Sequence, residues 1–369
     1  MNLQKHKRII ISGGGTGGHI FPAISIANAL MKIDASTKIL FVGAKGRMEM
    51  EKVPAAGYNI VGLPVEGFHR KMTFKNIKVI FKALKSLTLA KDIIQNFKPD
   101  VVVGVGGYAS GPVLRQAAKM KIPTVIQEQN SYAGVTNKLL AKKISAICVS
   151  YNGMDKYFPK EKIIKTGNPV RQNFENLNKL KDEAFTFFEL KRETPVVLVL
   201  GGSLGAGSIN KCLSENIALL RKSNCQWIWQ TGSYYYESVK SLSGVNVAVY
   251  GFINRMDLAY SAADVIISRA GAGTISELCL VGKPVVLIPS PNVAEDHQTK
   301  NAKALADKNA AVLMPDNIIS KNLVNEIISL LNDTNKREEL SENILKMAEK
   351  DADKRIAEVV FKLIENNLI

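Results

Sequence analysis

The sequence lacks the features that would mark a secreted or membrane-spanning protein. Its four cysteines lie far apart and form no Cys-x-x-Cys pair, which argues against a disulfide framework and against a zinc site. No stretch approaches about 18 consecutive apolar residues, so no membrane-spanning helix is predicted. The apolar run after the basic amino terminus stops at Ser12-Gly13 and is too short for a signal peptide. We therefore expect a soluble, cytosolic protein.

Acidic side chains are scarce where a metal would need them. The only Asp-x-Asp triplet, Asp351-Ala352-Asp353, lies in a charged helical segment and not at a strand end. The adjacent Glu295, Asp296 and His297 would diverge around a helix. No glycine turn ends in Gly-Lys-Ser/Thr, which argues against a Walker-type phosphate loop. We expect no metal and no cofactor.

Length and charge set the broad class. The chain has 369 residues, 46% of them hydrophobic, which is enough for two domains with separate cores. Its 49 Lys and Arg against 33 Asp and Glu give a net charge of +16, which favours nucleic acid, anionic lipid or phosphorylated substrates as partners. Aromatic residues make up only 7% and no recognition helix stands out, so a basic nucleic-acid-binding protein is the weakest alternative.

Short runs rich in Val and Ile alternate with longer helical patterns in both halves of the chain. This alternation predicts the α/β class, with two doubly wound Rossmann-like domains. The predicted domains are 1–168 and 169–345, divided near Gly167-Asn168-Pro169. Residues 336–366 form one long charged helical pattern, and we expect the stretch 346–369 to join the first domain. The predicted strands are Arg8–Ser12, Lys38–Val42, Asn59–Leu63, Val101–Val105, Thr124–Gln127, Ala146–Val149, Val196–Leu200, Gln226–Gln230, Val245–Tyr250, Val265–Ser268, Val285–Ile288 and Ala311–Leu313.

Glycine-rich turns follow the first predicted strand of each half, at residues 13–19 and 201–207. Glycines let the backbone approach a ligand closely, and the amides at the following helix start attract negative charge. The first turn matches Gly-x-Gly-x-x-Gly, but the acidic residue that would bind the ribose of NAD is missing after the second strand. A tight turn that binds nothing is the alternative for either loop, and the recurrence in both halves argues against it.

The segment Arg269–Glu277 is a sharper signal. Its glycines open a helix whose amides can hold a diphosphate, and Glu277, one turn further on, can accept hydrogen bonds from ribose hydroxyls. The alternative is that Glu277 is an ordinary solvated helix residue. Residues 294–302 begin another helix and are dense in groups that suit sugar hydroxyls.

Six motifs occur along the chain in this order: Gly14–Ala23, Gly106–Pro112, Glu128–Asn130, Gly167–Arg171, Gly201–Ala206 and Asp296–Ala302. Together they resemble the MurG family of bacterial peptidoglycan N-acetylglucosaminyltransferases, within glycosyltransferase family 28. The resemblance runs from about residue 8 to residue 310. One position departs from it, because Gln127 stands where the family has His before Glu-Gln-Asn.

The resemblance implies a GT-B fold, with the two domains facing across a cleft. It implies UDP-N-acetylglucosamine as the donor, mainly on the second domain. The implied acceptor is undecaprenyl-diphosphoryl-N-acetylmuramoyl-pentapeptide (lipid I), on the first domain, and the product of the inverting transfer is lipid II. The implied donor contacts are Thr16, Gly17, Gly18, Asn130, Arg171, Ser203, Ile253, Ala272, Gly273, Thr274, Ile275, Ser276, Glu277 and Gln298.

The chemistry of these side chains agrees with such placements. Arg171 can neutralise a phosphate and Ser203 can donate to it. Ile253 would offer backbone groups to uracil, since its side chain cannot form hydrogen bonds. Gln298 and Asn130 would bind sugar hydroxyls.

Two residues are candidates for the base that takes the proton of the acceptor hydroxyl. His19 is preferred because an ordinary imidazole, with a pKa of about 6.5, is largely neutral near pH 7; alternatively, it only orients a phosphate or hydroxyl. Glu128 is the other candidate, and its carboxylate could equally be a structural partner of nearby backbone amides. The sequence leaves this choice open.

The segment 68–91 has no acidic residue and interleaves basic with apolar side chains. Such a stretch suits an anionic membrane surface, and we expect a peripheral position on the cytoplasmic face of the inner membrane. The alternative is that its apolar stripe covers the sheet while its lysines are solvated.

Another nucleotide-sugar enzyme of this architecture, such as a UDP-N-acetylglucosamine 2-epimerase, is the alternative function.

Overall fold

The computed structural model describes residues 6–66, 75–170, 174, 177–202, 205–293 and 296–367, apart from the side chains of residues 75–80 and 321. The chain divides into two compact units. Unit 1 comprises Met1–Val170 and Asp351–Ile369, and unit 2 comprises Arg171–Lys350. Among the described residues, none of the helices combines the length and the hydropathy that a membrane span requires.

Unit 1 contains a seven-stranded sheet in which neighbouring strands run parallel. Its central strands are buried on both faces, which explains their continuous Val and Ile runs. The strands are β1 Arg8–Ser12, β2 Lys38–Ala44, β3 Asn59–Leu63, β4 Val101–Gly104, β5 Thr124–Glu128, β6 Ala146–Val149 and β7 Ile163–Lys165, in the order β3-β2-β1-β4-β5-β6-β7. The helices are α1 Gly17–Ile33, α2 Glu49–Ala55, α3 Lys75–Phe97, α4 Ser110–Lys119 and α5 Val135–Leu140.

Unit 2 repeats the arrangement with six parallel strands. They are β8 Val196–Leu200, β9 Gln226–Gln230, β10 Val247–Tyr250, β11 Val265–Ser268, β12 Val285–Leu287 and β13 Val312–Leu313, in the order β10-β9-β8-β11-β12-β13. The helices are α6 Lys181–Phe187, α7 Gly207–Glu215, α8 Ile217–Lys222, α9 Ser233–Val239, α10 Met256–Ala262, α11 Ala272–Val281, α12 His297–Ala306, α13 Ile319–Asn332 and α14 Thr334–Leu345. The predicted class, two doubly wound α/β domains, is confirmed.

Strand order reverses at one point in each sheet, between β1 and β4 in unit 1 and between β8 and β11 in unit 2. Ser12 pairs with Gly104 at the first reversal, and Leu200 pairs with Ser268 at the second. Ligands of doubly wound sheets bind beyond the carboxyl ends of the strands at such reversals. The glycine-rich segments of the sequence follow these four strands.

The prediction of one continuous helix over residues 336–366 is wrong. The chain leaves α14 at Leu345, and Asp351 adopts a left-handed conformation (φ 53°) before a separate helix, α15 Ala352–Asn366, begins. The two helices serve different cores: Ile344 packs in unit 2, whereas Ile356 and Val360 pack with residues of α1 in unit 1. Similar charge and periodicity on both sides of the break hid it from sequence reasoning.

Candidate functional site

The loop after β1 is hydrogen-bonded to a buried carboxylate that the sequence analysis did not single out. Glu49, at the start of α2, is only 1% exposed. Its Oε2 accepts from the Gly15 amide at 2.9 Å and its Oε1 from the Ala44 amide at 2.8 Å. The Gly15 amide is therefore already bound to a carboxylate. The amides that can bind a ligand here are therefore those in the first turn of α1, which begins with Gly17 and Gly18.

The loops after β1 and β4 touch through their backbones. Gly107 has a φ of 83°, and a Cβ atom there would lie 2.2 Å from the carbonyl oxygen of Gly14. Gly106 has a φ of 96°, and a Cβ atom there would lie 2.7 Å from Cε1 of His19. Both positions therefore require glycine, and the His19 imidazole packs directly on the main chain after β4.

His19 and the Glu128-Gln129-Asn130 motif lie together at this edge of the sheet. The half-buried His19 ring has its Nδ1 3.2 Å from Oε1 of Gln129. Thr16, which immediately precedes α1, is exposed and makes no side-chain capping bond. Three predicted site segments, after β1, β4 and β5, are thus brought into one cluster.

Glu128 has the environment of a structural carboxylate. It is 2% exposed, and its Oε1 accepts from the amide and the side chain of Asn130 at 3.1 and 3.3 Å. Its Oε2 accepts from the Gly134 amide at 3.0 Å and from Asn137 Nδ2 at 2.8 Å. Both oxygens are engaged in hydrogen bonds, which is the environment expected if Glu128 is a structural partner of nearby amides. Asn137, which the sequence did not single out, joins the loop to α5.

Gln127, the position that departs from the family pattern, is completely buried in a network of neutral amides. Its Nε2 donates to Oδ1 of Asn168 at 3.0 Å, and Asn168 Nδ2 donates to the backbone oxygen of Gln129 at 3.0 Å. The hydroxyl of Ser150 also donates to Asn168 Oδ1. The network joins the ends of β5 and β6 to the Gly-Asn-Pro motif.

In unit 2, the Arg269 side chain joins several segments at the end of the sheet. Its guanidinium donates to Asp316 at 2.5 Å, to the Ser208 hydroxyl at 2.6 Å and to the backbone oxygen of Ile288 at 3.1 Å. These bonds tie the end of β11 to α7 and to the end of β12. Helix α11 begins three residues after Arg269, at Ala272, so its first backbone amides lie next to these fixed loops.

Glu277 is a half-buried residue of α11 and not an ordinary solvated one. The hydroxyl of Tyr260 donates to its Oε2 at 3.3 Å. Tyr260 is 1% exposed and packs edge-on against Phe174, with ring centroids 5.2 Å apart. The carboxylate is therefore held in place one turn into the helix, after Gly273, Thr274, Ile275 and Ser276.

Two further predicted contacts have part of their hydrogen-bonding capacity already in use. The Ile253 amide donates to Gln230 Oε1 at 3.0 Å, so only its carbonyl can bind a ligand. Gln298 Oε1 accepts from the Ser290 amide at 2.8 Å, which leaves its NH₂ group to donate to a ligand. Arg171 and Ser203 lie outside the described residues.

The described part of the chain contains no assembled site for a metal ion or for thiol chemistry. No group of three His, Cys, Asp or Glu residues is placed there to hold an ion. All four cysteines are buried, and burial raises the pKa of the Cys148 and Cys279 thiols to about 12. These two are therefore protonated and unreactive at neutral pH.

Comparison with known proteins gives matches in both units. The profile of the "Glycosyltransferase family 28 N-terminal domain" matches residues 9–149, and that of the C-terminal domain matches residues 196–356. Two curated relatives are named UDP-N-acetylglucosamine--N-acetylmuramyl-(pentapeptide) pyrophosphoryl-undecaprenol N-acetylglucosamine transferase. The one from Bacteroides thetaiotaomicron is 55% identical over 98% of this chain and 99% of its own length. The one from Parabacteroides distasonis is 57% identical over 97% and 98%.

Solved structures extend this comparison. Acinetobacter baumannii MurG is 28% identical with a TM-score of 0.77, over 96% of this chain and 99% of its own. A UDP-GlcNAc 2-epimerase from Neisseria meningitidis, bound to UDP-GlcNAc, is 17% identical with a TM-score of 0.64, over 96% of this chain and 100% of its own. The second likeness shows a shared fold alone.

The contact between Gly106 and His19 yields a test. In Gly106→Ala the new methyl group needs a strained φ and the space of the imidazole. We expect the His19 ring to move, with a loss of about 1–3 kcal/mol in unfolding free energy. The measurements are histidine-selective NMR and thermal denaturation.

Gly134→Ala is the matched control, because its φ is −62° and the nearest atom to its Cβ would lie 3.8 Å away. It should leave the His19 signals and the stability nearly unchanged. Unmoved His19 signals in folded Gly106→Ala would contradict the described packing.

Proposed function

The chain belongs to glycosyltransferase family 28, and we propose that it transfers N-acetylglucosamine from UDP-N-acetylglucosamine to lipid I, giving lipid II for peptidoglycan synthesis. Its two doubly wound domains form the GT-B fold. The observation that carries the proposal is identity above 50%, over nearly the full length of both chains, to transferases named for this reaction.

The donor nucleotide belongs to unit 2 in this proposal. The amides that open α11 stabilise negative charge on the diphosphate, which increases as UDP departs. Glu277 accepts hydrogen bonds from the ribose, the Ile253 carbonyl accepts from uracil, and the Gln298 NH₂ group donates to a hydroxyl of the sugar. Arg171 and Ser203 are the expected partners of the phosphates.

The acceptor and the base belong to unit 1. The muramoyl hydroxyl oxygen attacks the anomeric carbon and passes its proton to His19, while the bond from that carbon to the diphosphate oxygen breaks. The electron pair leaves with UDP, and one displacement inverts the anomeric configuration. Thr16, Gly17 and Gly18 immediately precede His19, and Asn130 follows its partner Gln129. These four residues are proposed to contact the donor.

The experiment that tests this function is a transfer assay with UDP-N-acetylglucosamine radiolabelled in the sugar. With lipid I present we expect label in the lipid fraction at the same rate with and without a metal chelator. Label that stays water-soluble and appears as an epimerised sugar would support the 2-epimerase alternative instead. Transfer abolished by the chelator would contradict the proposed metal-free mechanism.

Glu277 provides a test of donor binding. Because hydrogen bonds to a charged group contribute about 1.5–3 kcal/mol, Glu277→Ala should weaken UDP-N-acetylglucosamine binding about 10- to 100-fold in calorimetry. Glu326→Ala, which removes an exposed carboxylate of α13 in the same unit, should bind normally. Unchanged donor affinity in folded Glu277→Ala would contradict this placement of the ribose.

We further propose that unit 1 binds the anionic cytoplasmic surface of the inner membrane. Residues 68–74 of the basic segment 68–91 lie outside the described residues, but the later part of α3 is described. Phe81 and Leu84 are 69% and 56% exposed, whereas Ser86, Ala90 and Ile94 form the buried side of the helix. The exposed pair therefore does not cover the sheet.

Helix α5 carries another exposed apolar residue of this unit. Leu139 is 77% exposed and is followed by the exposed Lys142 and Lys143, while Lys85 is exposed on α3. Both α3 and α5 pack against α4. Apolar side chains together with lysines suit a bilayer of anionic lipid.

Vesicle binding tests this surface. Phe81→Ser with Leu84→Ser should lower partitioning onto phosphatidylglycerol-containing vesicles about 10-fold or more, since each side chain contributes about 1.5–3 kcal/mol when fully buried. Phe187→Ser is the matched control, because Phe187 is 53% exposed on unit 2. Equal loss in both variants, or no loss in the first, would contradict the proposed membrane surface.

A further inference from the structure

The side-chain amide of Gln129 has only one orientation compatible with its neighbours. Its Nε2 lies 2.7 Å from the backbone oxygen of Val105 and also donates to Oε1 of Gln127. Both of these atoms are acceptors. A flipped amide would place oxygen against oxygen in a site where Gln129 is only 3% exposed. The oxygen of Gln129 is therefore the atom that faces His19.

The neighbouring amides are oriented in the same way. Asn168 must present Nδ2 to the backbone oxygen of Gln129, so its Oδ1 faces Gln127 and receives the Gln127 Nε2 at 3.0 Å. Gln127 then has Oε1 turned to Gln129. Backbone carbonyls thus fix the direction of every bond in the chain of amides.

This direction determines the tautomer of His19. Gln129 Oε1 carries no hydrogen, so the 3.2 Å contact is a hydrogen bond only when His19 Nδ1 donates. In the neutral imidazole the lone pair then belongs to Nε2. Glu128 does not compete for Nδ1, because its two oxygens accept from Asn130, Gly134 and Asn137.

We propose that Gln129 is a positioning residue that holds neutral His19 as the Nδ1–H tautomer, and that Gln127 and Asn168 hold Gln129. Resting on the proposed function, this assigns Nε2 as the atom that receives the proton of the acceptor hydroxyl. The amides of this network do not titrate near neutral pH, so the tautomer is set without a carboxylate partner.

Nitrogen NMR of the full-length protein tests the tautomer directly. The chain has four histidines, so ¹⁵N-histidine labelling gives few signals, and the spectrum of His19→Asn identifies those of His19. At about pH 8, above the ordinary imidazole pKa, we expect a protonated Nδ1 and an unprotonated Nε2 in the wild-type protein. A wild-type spectrum with the proton on Nε2 would overturn the proposal, whether or not the protein transfers sugar.

Variants separate positioning from general support of the loop. Gln129→Met removes the acceptor, and we expect a mixture of His19 tautomers and a kcat lower by about 10- to 100-fold, with KM for both substrates within about twofold. Asn137→Ala removes a buried amide of α5 that binds Glu128 beside this loop, and it should retain the Nδ1–H tautomer. A mixture of tautomers in Asn137→Ala as well would mean a structural role only. If Gln129→Met does not fold, the wild-type spectrum still decides.

The tautomer measurement and the transfer assay test the two proposals independently. A protein with Nδ1–H His19 and no transfer to lipid I would retain the positioning role of Gln129 and refute the proposed function. Transfer by a protein with Nε2–H His19 would retain the function and refute the positioning role.

Discussion

Backbone contact between two loops is the constraint on which the first unit depends. Parallel strands end at the same edge of their sheet, and the loops after β1 and β4 meet there because the strand order reverses between them. The meeting is so close that Gly107 has no room for a side chain beside Gly14. The imidazole of His19 can then lie on the bare backbone of Gly106, within reach of Gln129.

The second unit uses the same topology for different chemistry. Its glycine loop also approaches a neighbouring backbone, since a Cβ atom on Gly205 would lie 2.3 Å from the oxygen of Thr231. In this unit the Arg269 guanidinium joins the ends of β11 and β12 to α7, and the Tyr260 hydroxyl donates to the Glu277 carboxylate. Unit 1 thus presents the His19 imidazole beside the neutral amide of Gln129, which suits proton transfer. Unit 2 presents a helix start and a fixed carboxylate, which suits a nucleotide.

The sequence predicted the regular elements well because buried parallel strands have an unmistakable composition. Strand β7 was missed because it is a three-residue strand at the edge of the sheet, beside β6, and none of its residues is buried. The break before α15 was missed because helical charge patterns do not reveal which core each helix packs against. Within the site, sequence motifs indicated the correct loops but not the partners. Glu49 contacts Gly15 from 34 residues away, and Asn168 contacts Gln127 from 41 residues away. A local sequence pattern does not predict such bonds.

The proposed function requires a uridine nucleotide sugar to bind at the carboxyl edge of the sheet in unit 2. Photolabelling with an azido-uridine analogue of UDP-N-acetylglucosamine, followed by peptide mass spectrometry, tests it most directly. We expect label in the segments after β10 and β11, around Ile253 and residues 269–277, and loss of that label when unmodified UDP-N-acetylglucosamine competes. Label confined to unit 1, or label that competition does not displace, would contradict it.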